Sequence, residues 1–291
     1  ERICPTDTET TYCFSTPYTF DVSTTEIYGW INGGKVAIID TSDYTNYRKF
    51  PQFVYKNNIT HLAISPSGFV NMLRVYSEEE QNNIANSLEY LMVAGEEFKE
   101  SIYKVWNEKN WKFRLFNLYG PTEATVYALG YELKHGQVIE NGIPIGKPLD
   151  GARYYIDNIA ENGVGELILL GEGIARGYIN NPEENRKRFK EKDGVLSYRT
   201  GDLVHVKDGI VFYNCRNDDQ VQINGIRVEL GEIEHRIRMV DEINDACVAE
   251  YNGIIISHIV LNEDANMDER KALEKISKCM PRYMVPNYIK I

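Results

Sequence analysis

The sequence predicts an α/β fold: a sheet built from βαβ units with a small β-rich subdomain, followed by a small α+β C-terminal domain. Short apolar segments alternate with helical patterns over residues 18–130, which is typical of a mostly parallel sheet covered on both faces. Short β segments broken by glycines fill residues 146–213, and strands and helices alternate again over 219–291. These changes of pattern predict the three parts.

The first part is expected to begin with a helix over Ser23–Asn32 that ends at two glycines. After it come the strand KVAIID, a helix over 47–56, the strand THLAIS, a helix from Pro66 to about Tyr76, the strand LEYLMVAG, a helix over Glu97–Glu108 and the strand KFRLFNLYG. The segments VAGEE and LYGPTE fall at strand ends, and such sheets bind ligands at the carboxyl ends of their strands. The sequence therefore predicts a site at that edge.

A change of pattern near Gly142 and the polar segment CRNDDQ set the predicted domain boundaries. We predict a partial N-terminal core over 1–217, with a βαβ part at 1–141 and a β-rich part at 142–217. A partial, mobile α+β domain follows over 218–291. CRNDDQ is expected to be the linker, because its polar residues favour exposure and bending.

Composition and charge exclude several classes of protein. With 43% hydrophobic and 26% charged residues, the chain is typical of soluble globular proteins, and no apolar run approaches the ~20 residues of a membrane helix. The net charge of -11 argues against a nucleic-acid surface, although it allows a nucleotide held by backbone amides, a metal and a few cations. Five scattered cysteines without a CxxC pair indicate free thiols. We expect a cytoplasmic protein without an obligate oligomer.

The segment NLYGPTE, Asn117–Glu123, combines a tight turn with three chemically useful side chains. A Gly-Pro pair turns the chain at a strand end. Tyr119 offers an aromatic face for a base, Thr122 a hydroxyl for a phosphate, and Glu123 an oxygen ligand for Mg²⁺. The alternative is an ordinary strand-to-loop turn in which Glu123 is solvated.

Three further segments are less specific when each is taken alone. In YRTGDL, Asp202 can accept two hydrogen bonds from a ribose diol, or it can cap its own β-turn. The segment RNDDQVQINGIRVELGEIE, residues 216–234, pairs a cation with acidic residues and ends in a helix with an acid-rich first turn. The alternative is a plain linker followed by a capped helix. The glycines of GELILLGEGIARGY, residues 165–178, permit tight turns, so a structural role is expected there.

Together and in this order, the four segments resemble the adenylate-forming superfamily, which includes acyl-CoA synthetases, luciferases and the adenylation domains of nonribosomal peptide synthetases. The resemblance extends from about Phe20 to Ile291 and is strongest to the last of these classes. It implies the adenylate-forming enzyme fold, with ATP and Mg²⁺ as cofactors. It also implies a reaction in which a carboxylate attacks the α-phosphate of ATP, catalysed by positioning and charge neutralisation.

The resemblance implies a role for each matching residue of the ATP site. Asn117 would contact the adenine edge, Tyr119 would stack on the ring, and the backbone of Gly95 would lie along it. Thr122 would bind the α-phosphate and Glu123 would hold Mg²⁺, which makes these two the implied catalytic residues.

Later residues match the ribose site and the mobile domain of the family. Asp202 would bind the ribose hydroxyls together with Arg216. Asp218 would be the hinge about which the C-terminal domain rotates, and Gly225 would line the channel for a phosphopantetheine arm. A phosphopantetheinylated carrier protein or domain is therefore the implied partner.

The segment FDVSTTE carries the subfamily signal. In amino-acid-activating members, the aspartate of FDxS binds the substrate α-ammonium, and Asp21 matches it. A carboxylate at the floor of an apolar pocket needs a cation as its partner, whereas the alternative is that Asp21 or Ser23 caps the following helix. The other matching pocket residues are nearly all apolar and imply an apolar or weakly polar amino acid. They are Val22, Thr25, Ala63, Met92, Ala94, Leu118, Val126 and Tyr127.

Two parts of the family pattern are not found among the 291 residues: a Ser/Thr/Gly-rich phosphate loop ending in Pro-Lys before FDxS, and the lysine of an NGK segment beyond MVPxY. We therefore expect a fragment of a longer enzyme, truncated at both ends and inactive in adenylation when alone. One alternative is a ligase that loads CoA or a carrier with a simple acid, such as a fatty acid or D-alanine. Another is a degenerate, non-catalytic nucleotide-binding module.

Overall fold

The computed structural model describes residues 3–40, 48–140, 142–218, 220–223, 225–251 and 253–291. The chain divides into two compact units, Glu1–Cys215 and Arg216–Ile291, just before the boundary predicted at residue 218. Tyr47 of a predicted helix and Asp219 of the predicted linker lie outside the described residues.

Within the described residues, a seven-stranded sheet forms the first part of the first unit. Its strands are β1 (Thr11–Phe14), β2 (Lys35–Ile38), β3 (His61–Ile64), β4 (Tyr90–Ala94), β5 (Arg114–Tyr119), β6 (Leu129–Leu133) and β7 (Lys147–Pro148). They lie in the order β2-β1-β3-β4-β5-β6-β7, with β1 to β5 parallel and the last two antiparallel. The predicted α/β class with a mostly parallel sheet is confirmed.

The helices that the structure describes in this part connect the parallel strands. They are α1 (Val22–Ile27), α2 (Phe50–Lys56), α3 (Pro66–Val75), α4 (Glu78–Ser87) and α5 (Glu100–Lys109). The helix predicted over Ser23–Asn32 is too long, because α1 tightens into a 3₁₀ turn at Tyr28–Trp30. Helix α4 was not predicted, although Ser77 and Glu80 form a reciprocal capping box at its start.

Side chains of the parallel strands alternate between two apolar clusters on opposite faces of the sheet. Leu62 and Leu91 join the buried side chains of α2 to α5 in the main core. Their neighbours Ala63 and Met92 belong to the second cluster, with which Val22 at the start of α1 also packs. This alternation is the period of two expected of strands. The sheet face opposite the main core therefore carries its own cluster of side chains.

The β-rich part of the first unit is a five-stranded sheet with one short helix among the described residues. Its elements are β8 (Ala152–Asp157), β9 (Gly165–Gly171), α6 (Pro182–Arg188), β10 (Phe189–Lys192), β11 (Val195–Lys207) and β12 (Ile210–Arg216). The strands lie in the order β10-β11-β9-β8, and β12 also pairs with β11. The long strand β11 carries a register shift between Arg199 and Leu203. Such a bulge re-aims side chains locally.

The second unit is a small α+β domain with its own apolar core. Its elements are β13 (Gln220–Ile223), β14 (Ile226–Glu229), α7 (Leu230–Arg238), β15 (Ile243–Tyr251), β16 (Ile254–Leu261), α8 (Glu269–Cys279) and β17 (Tyr288–Lys290). The first two strands form a hairpin, and the others form the sheet β15-β16-β17, whose second pair is parallel. The predicted α+β character is therefore present, although β14, β15 and β17 were not predicted.

Two expectations from composition concern the cysteines and membrane helices. Cys4 and Cys13 are buried free thiols, and the other three cysteines are exposed free thiols. In the part of the chain that the structure describes, no helix combines the length and apolar character needed to cross a membrane. The free thiols agree with the predicted lack of a disulfide framework.

Candidate functional site

Strand β5 and the bulge in β11 bring Tyr119 and Asp202 together, 83 residues apart in the sequence. The Tyr119 hydroxyl donates a hydrogen bond to Asp202 Oδ2, and Asp202 is only 7% exposed. Gly201 precedes Asp202 with φ 78°, a left-handed conformation that glycine adopts without strain. The NLYGPTE and YRTGDL motifs therefore meet through their side chains.

Glu123 lies in a 3₁₀ turn over Thr122–Ala124 that follows β5. It is 9% exposed, so the alternative of a solvated carboxylate is wrong. The Tyr178 hydroxyl donates a hydrogen bond to Glu123 Oε1, and Ala175 N donates to the Glu123 carbonyl at 2.8 Å. Burial, with a further contribution from the Glu123 carboxylate, raises the pKa of Tyr178, so its phenol stays protonated and can donate. The Thr122 side chain is exposed beside it.

Asn117 and Gly95 lie at the carboxyl ends of neighbouring strands. Asn117 is buried, and its Nδ2 donates to the Pro144 carbonyl at 2.7 Å, which ties β5 to the segment before β7. Gly95 is exposed directly after β4, with φ 90°. The next residue, Glu96, accepts hydrogen bonds from Ser67 N at 2.8 Å and Ser67 Oγ at 2.9 Å. Glu96 was not predicted as a site residue, yet it fixes this loop to the start of α3.

Six of the nine predicted substrate residues pack in one apolar cluster on the sheet face opposite α2 to α5. They are Val22, Ala63, Met92, Ala94, Leu118 and Tyr127. The cluster combines residues of α1, β3, β4 and β5 with the turn after Glu123. The topology therefore brings together side chains that the sequence separates by up to about a hundred residues.

The remaining predicted substrate residues, Asp21, Thr25 and Val126, add polar groups and a strained turn to this cluster. Asp21 is half-buried at the N-cap position of α1, but its side chain makes no capping hydrogen bond. No described residue forms a hydrogen bond or ion pair with its carboxylate. Thr25 Oγ1 donates to the Val22 carbonyl at 2.8 Å. Asp21 therefore occupies the N-cap position of the capping alternative, but its side chain does not cap the helix.

The Tyr127 hydroxyl is a buried polar group at the same place. No described atom meets hydrogen-bond geometry with it, although Thr25 lies close to it. Burial, followed by the charges of Glu26 and Asp21, raises the pKa of Tyr127. A polar group in this position can donate a hydrogen bond to a bound molecule.

The turn that carries Val126 is strained. Thr125 and Val126 have φ 58° and 68°, which β-branched residues rarely adopt. The chain folds back so closely on Gly120 that a Cβ atom there would lie 2.4 Å from the Val126 carbonyl oxygen. Such strain is common at ligand sites, where the surrounding structure maintains it.

Glu26 is a buried carboxyl group that is not among the predicted site residues. It is completely buried and accepts hydrogen bonds from Thr16 N at 3.0 Å, Thr16 Oγ1 at 2.9 Å and Ser15 Oγ at 3.4 Å. These bonds join α1 to the turn after β1, and Asp21 directly precedes α1 in the sequence. Burial raises the pKa of Glu26 to about 7, against the opposing effect of those hydrogen bonds.

We expect Glu26→Gln to change how the stability of the first unit depends on pH. Because the folded-state pKa is raised from 4.5, the stability contribution of Glu26 is complete below pH 4.5 and is lost as pH rises through about 7. The variant should therefore become more stable than the wild type above pH 7, by on the order of 3 kcal/mol. Urea unfolding followed by tryptophan fluorescence measures this, because all three tryptophans lie in the first unit. Exposed Glu161→Gln is the control, and a constant difference from pH 4 to 8 would contradict the expectation.

The predicted residues of the mobile domain lie in the second unit. Arg216 forms a bidentate ion pair with Asp218, with Nε–Oδ1 and Nη2–Oδ2 distances of 2.6 and 2.7 Å. Its Nη2 also donates to Gln220 Oε1 at 2.6 Å, and Arg227 Nε donates to the same oxygen at 2.8 Å. Gly225 lies in the turn of the β13–β14 hairpin with φ 80°. The predicted ribose and hinge residues are thus paired with each other.

Comparison with known proteins gives one family and several relatives. Residues 2–179 match the family model described as AMP-binding enzyme. Over 97% of its length, the chain is 32% identical to zwittermicin A synthase ZmaJ of Bacillus cereus, and it spans 57% of that protein.

Solved structures agree in fold. The Vibrio cholerae adenylation domain AlmE, in complex with glycyl-adenosine-5'-phosphate, has a TM-score of 0.84 at 22% identity, over 99% of this chain and 57% of that one. Holo-PA1221, an NRPS protein containing adenylation and PCP domains bound to a vinylsulfonamide inhibitor, has a TM-score of 0.84 at 24% identity, over 99% of this chain and 51% of that one. The family match covers NLYGPTE, GELILLGEGIARGY and the apolar cluster, and it ends before YRTGDL. The chain therefore belongs to the family of AMP-binding enzymes.

Proposed function

We propose that this chain forms part of an adenylation site that activates an amino acid with an apolar side chain as its aminoacyl-adenylate. The observation that carries the proposal is the Asp21 carboxylate, which has no partner among the described residues and borders the apolar cluster of predicted substrate residues. A half-buried carboxylate without an ion-pair partner can bind a cationic group of a ligand through charge-assisted hydrogen bonds. An α-ammonium group is such a cation.

The apolar cluster supports an amino acid whose side chain is apolar or weakly polar. The six predicted substrate residues in it carry no charge, so a charged substrate side chain packed among them would be desolvated without a partner. Thr25 and Tyr127 offer hydroxyl groups at the edge, next to Asp21. The substrate ammonium and its side chain would thus be recognised by different parts of one site.

The ATP side of the proposed site lies at the carboxyl ends of β4 and β5. Asp202 would accept hydrogen bonds from the ribose hydroxyls, and its bond from Tyr119 holds both side chains in place for the nucleotide. Gly95 and Asn117 would border the adenine, as would the Tyr119 ring. Arg216 would assist at the ribose, and Thr122 would donate to the α-phosphate.

Glu123 has the chemistry required of a Mg²⁺ ligand. Its carboxylate is held in a fixed orientation by Tyr178. Among the described residues there is no group of three or more His, Cys, Asp or Glu side chains that could hold a metal ion. One carboxylate is enough for this role, because proteins bind Mg²⁺ through one or two carboxylates while phosphates and water supply the other ligands. When bound, the ion would neutralise charge on the phosphates of ATP.

The residues of this chain would contribute to the reaction mainly through position. Asp21 would hold the substrate ammonium so that a carboxylate oxygen points at the α-phosphorus of ATP. That oxygen forms the new P–O bond, and pyrophosphate leaves with the electrons of the broken bond. Thr122 would donate a hydrogen bond to an α-phosphate oxygen as its charge rises. Fixed donors and a water-poor site favour such steps.

The adenylate is proposed to pass to a phosphopantetheine carrier in nonribosomal peptide synthesis. The relation to holo-PA1221, which contains adenylation and PCP domains, supports this partner. Asp218 would serve as the hinge of the second unit, and Gly225 would line the channel for the carrier arm. We also propose that the protein is cytoplasmic and does not form an obligate oligomer. Neither a membrane nor a nucleic acid is proposed as a partner.

An ATP–pyrophosphate exchange assay across the twenty amino acids and a set of fatty acids, with the protein that contains this chain, tests the proposal. We expect exchange with one or a few apolar amino acids. Exchange with fatty acids alone would favour the acyl-CoA ligase alternative. ATP binding without exchange for any acid would favour a non-catalytic nucleotide-binding module.

The 291 residues by themselves are expected to show no exchange in the same assay. They include neither the phosphate loop nor the NGK lysine of the family pattern, so two groups that stabilise charge on the phosphates are not among them. Exchange by the isolated chain with any amino acid would contradict this expectation.

A further inference from the structure

The second half of GELILLGEGIARGY runs beside the predicted metal ligand Glu123. Ala175 N donates to the Glu123 carbonyl at 2.8 Å, and Thr125 Oγ1 donates to the Gly173 carbonyl. At the end of the segment, the Tyr178 hydroxyl donates to Glu123 Oε1. The segment therefore contacts both the backbone and the carboxylate of Glu123. The glycines predicted only a structural role in tight turns, without this contact to Glu123.

Tyr178 is itself held rigidly. Its backbone N–H donates to Asn185 Oδ1 at 2.6 Å, and Asn185 Nδ2 donates back to the Tyr178 carbonyl at 2.8 Å. Gly177 has φ 130°, and a Cβ atom there would lie 2.9 Å from Asn185 Oδ1. The Tyr178 ring packs edge-on against Phe189 with centroids 5.3 Å apart. Backbone and ring contacts together fix where the hydroxyl points.

The same hydroxyl connects the segment to a third motif. Tyr178 Oη lies 3.3 Å from the hydroxyl oxygen of Tyr198, the first residue of YRTGDL, which is completely buried. Further along that motif, Asp202 accepts the hydrogen bond from Tyr119. Three motifs thus meet around the Glu123 carboxylate and the Tyr119–Asp202 pair.

We propose that Tyr178 is a positioning residue that orients the Glu123 carboxylate for the Mg²⁺ ion carried by ATP. The inference rests on the proposed function, because Glu123 is a metal ligand only there. A side chain that donates a hydrogen bond to a metal-binding carboxylate restricts its rotation and directs its other lone pairs. Loss of such a partner typically costs about 10- to 100-fold in metal affinity or activity.

Tyr178→Phe isolates the hydroxyl, because phenylalanine keeps the ring that packs on Phe189. Mn²⁺, used in place of Mg²⁺, can be titrated by electron paramagnetic resonance into the protein that contains this chain, in the presence of a non-hydrolysable ATP analogue. We expect about 10-fold weaker Mn²⁺ binding in the variant, with metal-free binding of the analogue unchanged by calorimetry. Tyr55→Phe, at an exposed position of helix α2, is the matched control and should leave both affinities unchanged.

A second variant keeps the proposal testable if Tyr178→Phe does not fold. Asn185→Ala removes both bonds that fix the Tyr178 backbone, so it should weaken Mn²⁺ binding in the same direction but less. Equal loss of Mn²⁺ and metal-free analogue affinity in a folded variant would indicate a general structural role and overturn the proposal. Wild-type Mn²⁺ affinity in either folded variant would also overturn it.

Failure of this inference can be distinguished from failure of the proposed function. If the wild type exchanges pyrophosphate and Tyr178→Phe keeps its Mg²⁺ dependence, the proposed function stands and the positioning role fails. If the wild type shows no exchange but the variant still binds Mn²⁺ and analogue more weakly, the positioning role stands for a nucleotide site without that activity.

Discussion

Replacing Asp21 by asparagine or alanine is expected to raise KM for the amino acid by about 100-fold or more. Removing one partner of a desolvated charge pair leaves the other charge unpaired and costs about 2–5 kcal/mol, and each 1.4 kcal/mol is a factor of ten. The Asp21 side chain forms no hydrogen bond or ion pair with any described residue, so the substitution removes no such contact from the folded protein. Stability should therefore change little.

Amino-acid-dependent pyrophosphate exchange at varied amino acid concentration measures this effect. KM for ATP should stay near the wild-type value, which separates loss of the ammonium partner from general damage. Exposed Asp264→Asn serves as the control for removal of one negative charge. An unchanged amino acid KM in Asp21→Asn would remove the main support for an amino acid substrate and would favour a simple acid.

Replacing Asp202 by alanine is expected to raise KM for ATP by more than about 100-fold, with little change in KM for the amino acid. A ribose diol would lose two hydrogen bonds to a charged group, each worth about 1.5–3 kcal/mol. The Tyr119 hydroxyl would also lose its acceptor. Tyr119→Phe should therefore give a smaller effect in the same direction, because it leaves the carboxylate in place.

The nucleotide 2'-deoxy-ATP provides a direct check of this role. The wild type should use it much less well than ATP, whereas Asp202→Ala should use the two nucleotides almost equally. If Asp202→Ala still prefers ATP as strongly as the wild type does, the carboxylate does not bind the ribose.

The sequence predicted the α/β class because its short apolar strands and their helices alternate without interruption over the first part. It did not predict β1 (Thr11–Phe14), which precedes the alternating segments of residues 18–130. Helix α4 was missed because EEEQNNIANS has few apolar side chains, although the capping box at Ser77 was readable. Strand β15 was also missed, since its exposed face carries polar and charged residues between the buried ones. Local patterns thus identified elements with strong periodicity and missed those stabilised by tertiary contacts.

The motifs predicted which residues belong near the site, but they did not predict how those residues contact one another. The Tyr119–Asp202 hydrogen bond depends on a bulge in β11, and no local pattern shows where a register shift falls. The contact between Tyr178 and Glu123 joins elements 55 residues apart. Glu26 was not noticed either, because its burial depends on packing between α1 and the turn after β1.

The central claim is that an amino acid carboxylate attacks the α-phosphate of ATP at this site. The most direct test supplies the preferred amino acid with ¹⁸O in its carboxylate to the protein that contains this chain, with ATP, Mg²⁺ and hydroxylamine as acceptor. Each AMP released should carry one ¹⁸O atom, because the bridging oxygen leaves with AMP when the acyl group is transferred. Unlabelled AMP, or ADP with labelled phosphate, would contradict the account.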